Sequence, residues 1–218
     1  MPDDAHQVEN DVAPAFWGKV TASMSHELAN AVGILSQAIG LLGDLLDRCE
    51  PDHPIDMERL EVIRERLDRQ VCRASDLVQQ LNYFAHSPDQ QSTEVELNSA
   101  ARNLVAICSR LALMKGVELR LHCTVEKVRV TGNPYGLLRT LFLALEYFYE
   151  NAGKDGTVEI VVASEPAGIQ LRSADVRWEA DERFAAAQSL ATRMGGKASL
   201  DFLDQVSVFT IRLGTTPG

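Results

Sequence analysis

Between Phe16 and Leu46 apolar residues recur at Val20, Met24, Leu28, Ala31, Leu35, Ala38, Leu42 and Leu45. The steps alternate between four and three residues, the spacing of a helix that packs along one seam of a bundle. His26, Asn30, Gly33, Gln37, Gly40 and Asp44 follow one another at helical spacing on a different face. The pattern predicts a helix from about Pro14 to Arg48. The segment from Cys49 to Pro54, with prolines at both 51 and 54, stops it. A second seam, Leu60, Ile63, Leu67, Val71, Ala74, Leu77 or Val78, Leu81 and Phe84, predicts a second helix from Ile55 to about His86. Two helices of roughly 30 residues, about 45 Å each at 1.5 Å per residue, joined by a short turn form an antiparallel hairpin. One hairpin alone leaves both seams partly wet, and two hairpins bury them as a symmetric four-helix bundle.

After a polar linker, Ser87 to Thr93, the pattern changes. Leu97 to Lys115 reads as a helix and Gly116 as its stop. Val117 to Cys123 alternates as a half-buried strand, and Val128 to Thr131 reads as a short one. Asn133-Pro134 starts a strongly apolar helix that runs to about Asn151. Strands follow at Thr157 to Ala163 and Ile169 to Ser173, then a helix at Asp181 to Met194, and a hairpin at Lys197 to Asp201 and Val206 to Leu213. The order of one helix and two strands, three times over, predicts an α/β sandwich with helices on one face of a mixed sheet. The fold class expected is α+β. Residues 1–13 are expected to be disordered, 14–86 to form the helical hairpin, and 94–214 the α/β domain.

The formal net charge of −10 sets the chain against nucleic-acid binding, which rewards Lys and Arg. No uninterrupted run of 18 apolar residues is present, so no membrane span is expected, and the acidic start MPDDAHQVEN is unlike a signal peptide. The four cysteines, Cys49, Cys72, Cys108 and Cys123, show no CxxC pair. Reduced and mostly buried thiols in a cytoplasmic protein are expected.

A lone histidine on a polar helix face is usually an ordinary surface residue. Three glycines in the same helix, Gly33, Gly40 and Gly43, point further, since each costs about 0.8–1 kcal/mol relative to Ala and lets another backbone come close. Phe16, then Ser25-His26-Glu27-Leu28 and Asn30, resembles the H-box of two-component sensor histidine kinases. The family's usual proline after that Asn is Ala31 here, so a less kinked helix is expected. The resemblance implies a phosphorylatable His26 on a dimerisation hairpin. About fifteen residues precede Phe16, and neither an input domain nor an anchor is expected among them.

Residues 94–214 are similar to the family's ATP-binding domain, the GHKL fold, most clearly at Leu190 to Leu200 with Gly195-Gly196, and at Phe209 to Leu213. The family carries two asparagines on the helix matching Pro134–Asn151, one of them holding Mg²⁺; aligned from Asn133-Pro134, those positions are Leu143 and Tyr147. The polar neighbours Glu146 and Asn151 fall out of register. Where the family has Asp-x-Gly-x-Gly, this chain has Asp175-Val176-Arg177-Trp178, and Arg177 and Trp178 are expected to block the approach that glycine permits. The glycine-rich lid is also missing. No ATP binding is expected, because phosphoryl transfer from ATP relies on Mg²⁺ and positioned donors.

An H-box without an ATP site resembles the ChpT-type histidine phosphotransferases. The resemblance implies a phosphorelay in which His26 carries a phosphoryl group between response-regulator aspartates, assisted by Glu27 and Asn30. Gly33, Gln37 and Gly40 would line the docking strip for a receiver domain, and the Mg²⁺ would sit on that partner. No cofactor is expected on this chain. A regulator phosphatase using Asn30, a non-enzymatic scaffold, and a kinase with a divergent nucleotide site stay open as alternatives.

Overall fold

The computed structural model describes residues 3–50, 54–86 and 93–214, with side chains from Phe16 onward. The chain divides into two compact units, residues 21–83 and residues 1–20 with 84–218.

The first unit is the helical hairpin. Helix α1 (Asp3–Asp47) supplies one arm and α2 (Met57–His86) the other. Helix α1 starts eleven residues before the expected Pro14 and passes through it, so the disordered stretch expected over residues 1–13 is helical from Asp3. Residues 51–53 of the expected turn and 87–92 of the expected linker lie outside the described residues. On α1 the seam is as spaced: Met24, Ala31 and Ala38 are buried, and Leu28, Leu35, Leu42 and Leu45 half-buried. On α2, Ile63 and Leu77 are buried, but Val71 is 53% exposed. The inward position is Gln70, which keeps the three-and-four alternation Ile63, Leu67, Gln70, Ala74, Leu77. Geometry, not residue type, set the seam there.

Large apolar side chains of this unit remain in solvent: Val32, Ile39, Leu41 and Leu46 on α1, and Met57, Val62, Val71 and Val78 on α2. A groove opens between Leu41 and Leu45 on one arm and Val62 and Ile63 on the other. By length and composition, α1 over Phe16–Asp47 is apolar enough to cross a membrane, contrary to the expectation that no such stretch exists. That expectation counted only uninterrupted apolar residues, whereas scattered Gly, Ser and Asn weigh little against a run of Leu, Ile and Val. Within one chain only 11% of that apolar window is buried.

The second unit is an α/β sandwich. Its five-stranded sheet has the order β2 (Glu118–His122), β4 (Thr157–Ser164), β5 (Ala167–Ser173), β7 (Val206–Arg212) and β6 (Lys197–Leu203). Only β2 and β4 run parallel; the other neighbours are antiparallel. One row of the register crosses the whole sheet, Leu121, Ile160, Leu171, Phe209 and Leu200. It faces the helices, and the adjoining row of Arg120, Glu159, Arg172, Val208 and Asp201 lies on the opposite face, as strand alternation requires. The strand expected at Val128 to Thr131 leaves this sheet. As β3 (Arg129–Gly132) it pairs with a strand the sequence pattern missed, β1 (Thr93–Glu96). Four residues, Thr-Glu-Val-Glu, are too few for alternation to register.

Three helices cover the inner face: α3 (Leu97–Met114), α4 (Pro134–Asn151) and α5 (Glu182–Arg193). Each starts on a side-chain cap that accepts from the orphan amides of the first turn: Glu96 for α3, Asn133 for α4, Asp181 for α5. Gly195, at φ +72°, ends α5 in the left-handed conformation that favours glycine. The start of α1 and the end of α2 belong to this unit. Phe16 lies 5.2 Å from Phe84 and 4.6 Å from Phe142 between ring centroids. Trp17 Nε1–H donates to the Tyr135 hydroxyl at 2.7 Å, and Lys19 pairs with the largely buried Glu146. Phe16, the aromatic residue of the H-box resemblance, and Phe84, assigned by spacing to the hairpin seam, therefore both serve the sandwich core.

Candidate functional site

The helical face predicted from spacing is on the surface. His26, Asn30, Gly33, Gln37, Gly40 and Asp44 are all exposed. A Cβ added at Gly33, Gly40 or Gly43 would meet nothing within 4 Å. These glycines weaken the helix by about 0.8–1 kcal/mol each and serve no packing inside the chain.

His26 makes a side-chain contact one turn on, where the Asn30 amide nitrogen lies 3.0 Å from Nδ1. Glu27 points elsewhere. It is half-buried, and its Oε2 accepts from Arg73 Nη2 of α2 at 3.2 Å. Among the three residues read as catalytic, the structure brings His26 and Asn30 together and turns Glu27 toward the second arm. Sequence reasoning did not find Arg73: it lies 46 residues from Glu27, and only the closing of the hairpin makes them neighbours.

The second region is where the resemblance places nucleotide chemistry. Leu143 is 2% exposed and clusters with Ala186 and Leu190 of α5. Burying a leucine there contributes about 1.5–3 kcal/mol, and the side chain offers a metal nothing. Tyr147 stacks on Trp178, ring centroids 4.5 Å apart and planes 15° apart. The resemblance aligns Tyr147 with the family's second asparagine and Trp178 with the residue between the two glycines of Asp-x-Gly-x-Gly. Trp178 is 3% exposed and also meets Phe148, Phe184 and Phe209. Its backbone N–H donates to Ser207 Oγ at 3.0 Å, and Nε1–H to Asp181 Oδ1 at 3.2 Å, the same oxygen that caps α5. Asp175, which the resemblance aligns with the family's adenine-reading aspartate, accepts from the Thr157 amide at the start of β4. At the positions the resemblance assigns to the paired asparagines, Leu143 and Tyr147 carry no carboxamide, and the Tyr147 ring is engaged with Trp178.

Arg177 behaves otherwise than expected. It is exposed, pairs with Glu179 and lies over the ring of Phe202 at 5.3 Å, whereas Trp178 is buried. Asn151 donates to the Tyr147 carbonyl of its own helix. The cysteines also depart from expectation, since Cys49, Cys72 and Cys123 are exposed and only Cys108 is buried. Burial, with the charge of Glu146 adding, pushes the Cys108 thiol well above its ordinary range, and the same two causes raise the Tyr149 phenol.

No protein-family model matches the sequence, and a search of curated proteins returns no match. Solved structures do match. The cytoplasmic segment of histidine kinase QseC aligns with a TM-score of 0.50 at 17% identity, over 67% of this chain and 95% of that one. The catalytic domain of histidine kinase ThkA, in a nucleotide-free form, aligns with a TM-score of 0.50 at 14% identity, over 59% of this chain and all of that one. The histidine kinase AdeS of Acinetobacter baumannii gives 0.48 at 14% identity, over 88% and 98% of the two chains. An α+β chain with a helical hairpin before a GHKL-like helix-and-sheet domain, it has the fold of a histidine-kinase cytoplasmic core.

Proposed function

We propose that this protein is a phosphorelay histidine phosphotransferase of two-component signalling, in which His26 accepts a phosphoryl group from one response-regulator aspartate and passes it to another without ATP. The observation that carries the reading is a contrast. The imidazole stands open on a polar helix face, while Leu143 is buried among apolar side chains and Tyr147 stacks on Trp178, where the resemblance would have asparagines. A neutral imidazole is a competent nucleophile and splits one transfer into two. The receiver domain brings the Mg²⁺ and the acidic pocket, so this chain has only to present the ring. Gly33 and Gly40 keep the surface beyond His26 low for the incoming receiver, and Gln37 offers it a hydrogen bond.

In this reading the protein is a cytoplasmic homodimer that binds neither nucleic acid nor membrane. The second hairpin covers the groove between Leu41 and Val62 and the exposed Val32, Ile39, Val71 and Val78, and so hides the apolar stretch of α1. Contiguous apolar surface of that extent marks an interface. One observation favours a second activity. The Asn30 amide beside His26 is a group able to orient water toward a receiver's aspartyl-phosphate, which would make the protein a regulator phosphatase.

Incubation with a ³²P-labelled receiver domain tests both. Acid-labile label on the wild type and none on His26→Gln is the expected outcome. Inorganic phosphate without labelled protein would favour the phosphatase. No reaction with any receiver would leave a scaffold and overturn the proposal.

A further inference from the structure

We infer that Asn30 is a positioning residue that sets the tautomer of His26 and so decides which ring nitrogen is free to attack; the inference rests on the phosphotransfer reading of His26. Neutral imidazole has one N–H and one lone pair, and a partner at one nitrogen fixes which is which. In the structure the Asn30 Nδ2–H donates to Nδ1 at 3.0 Å. With that bond formed, Nδ1 carries the lone pair and Nε2 the proton. That is a resting form, whose one lone pair is engaged by the amide. The carboxylate next in sequence does not compete, because Arg73 holds Glu27 toward α2. Only the amide is placed to act on the ring.

An amide presents a donor edge and an acceptor edge. Reversal of the Asn30 side chain turns Oδ1 toward Nδ1, which favours the Nδ1–H tautomer and leaves the Nε2 lone pair open. In the step that follows, the Nε2 pair attacks phosphorus of the aspartyl-phosphate. The bond between phosphorus and the acyl oxygen breaks, and its electron pair leaves with the carboxylate. The proton stays on Nδ1, hydrogen-bonded to Oδ1, and the product is a phosphoimidazolium. A neutral amide cannot remove that proton. The ring therefore remains a good leaving group for the onward transfer, the property a relay needs.

The test uses the full chain labelled with ¹⁵N-histidine, at a pH where His26 is neutral, with His26→Gln identifying the resonances. Wild type should show Nε2 protonated. Asn30→Asp, which can only accept, should invert this to Nδ1–H. Asn30→Leu, which can do neither, should shift the tautomer ratio about 2- to 10-fold from wild type, the range one net hydrogen bond sets. A small acyl phosphate serves as phosphoryl donor in parallel, and Asn30→Asp should label faster than wild type. The same tautomer ratio in all three proteins overturns the inference, whether or not His26 takes label. A ratio that follows residue 30 while no protein takes label supports the inference and overturns the transferase reading instead.

Discussion

Removing the Trp178 side chain should unfold the sandwich well before it opens a nucleotide site. Trp178 is 3% exposed, stacks on Tyr147 and Phe209, and makes two hydrogen bonds, through its backbone and its indole N–H. Truncation of a buried tryptophan to alanine typically costs about 3–5 kcal/mol. With a urea m-value of about 2 kcal/mol/M, the midpoint should fall by about 1.5–2.5 M. Trp178→Phe keeps most of the packing but loses the indole N–H bond to Asp181, about 1 kcal/mol, and should move the midpoint by about 0.5 M. Circular dichroism follows both transitions. A midpoint for Trp178→Ala within about 0.3 M of wild type would show that residues 174–181 do not complete the core. In calorimetry with Mg²⁺ neither wild type nor Trp178→Ala should bind ATP if, as proposed, Leu143 stands where a kinase has its metal-holding asparagine. A micromolar Kd in the wild type would restore the kinase reading.

The Gly33→Gln variant should be as stable as wild type or up to about 1 kcal/mol more stable, because its new side chain meets nothing within the chain, yet it should lose transfer from a receiver; wild-type transfer would remove Gly33 from the docking strip. Sedimentation should find a dimer at micromolar concentration, and Ile39→Lys should dissociate it, whereas a wild-type monomer would refute the shared bundle. The folded state keeps the protons of Cys108 and Tyr149, both raised by burial, while the unfolded chain begins to release them above about pH 8.5. Stability should therefore be fully present below that pH and fall as pH rises, by up to about 1.4 kcal/mol per unit for the thiol. Cys108→Ala should flatten the onset, and a flat profile from pH 7 to 10 in the wild type would contradict the burial. Disulfide reagents should titrate Cys49, Cys72 and Cys123 quickly and Cys108 only on unfolding.

The sequence by itself determined the elements that depend on periodicity over many residues. Thirty residues of three-and-four spacing define a hairpin arm without help from the rest of the chain, and the polar face of His26 follows from the same wheel. The helices and strands of the sandwich were legible for the same reason, and the caps Asn133 and Asp181 mark their starts. Where the pattern is short it fails. Strand β1 has four residues, and β3 pairs with it instead of joining the main sheet, because pairing depends on which edge lies near. Phe84 looks like a seam residue by spacing, yet its ring meets Phe16 and Trp17, and Phe16 in turn meets Phe142 of the sandwich.

Tertiary structure alone decided the chemistry around the site. Sequence order places Glu27 beside His26, but the folded hairpin gives it to Arg73 and leaves the imidazole to Asn30. Leu143 and Tyr147 read in the sequence as missing asparagines. Folding gives each a packing role, Leu143 with Ala186 and Leu190 and Tyr147 on the Trp178 ring. Spacing along a helix is a local property and is written in the chain. Which side chain meets which across 46 or 31 residues is fixed only when the backbone closes and each polar group takes the partner within its reach.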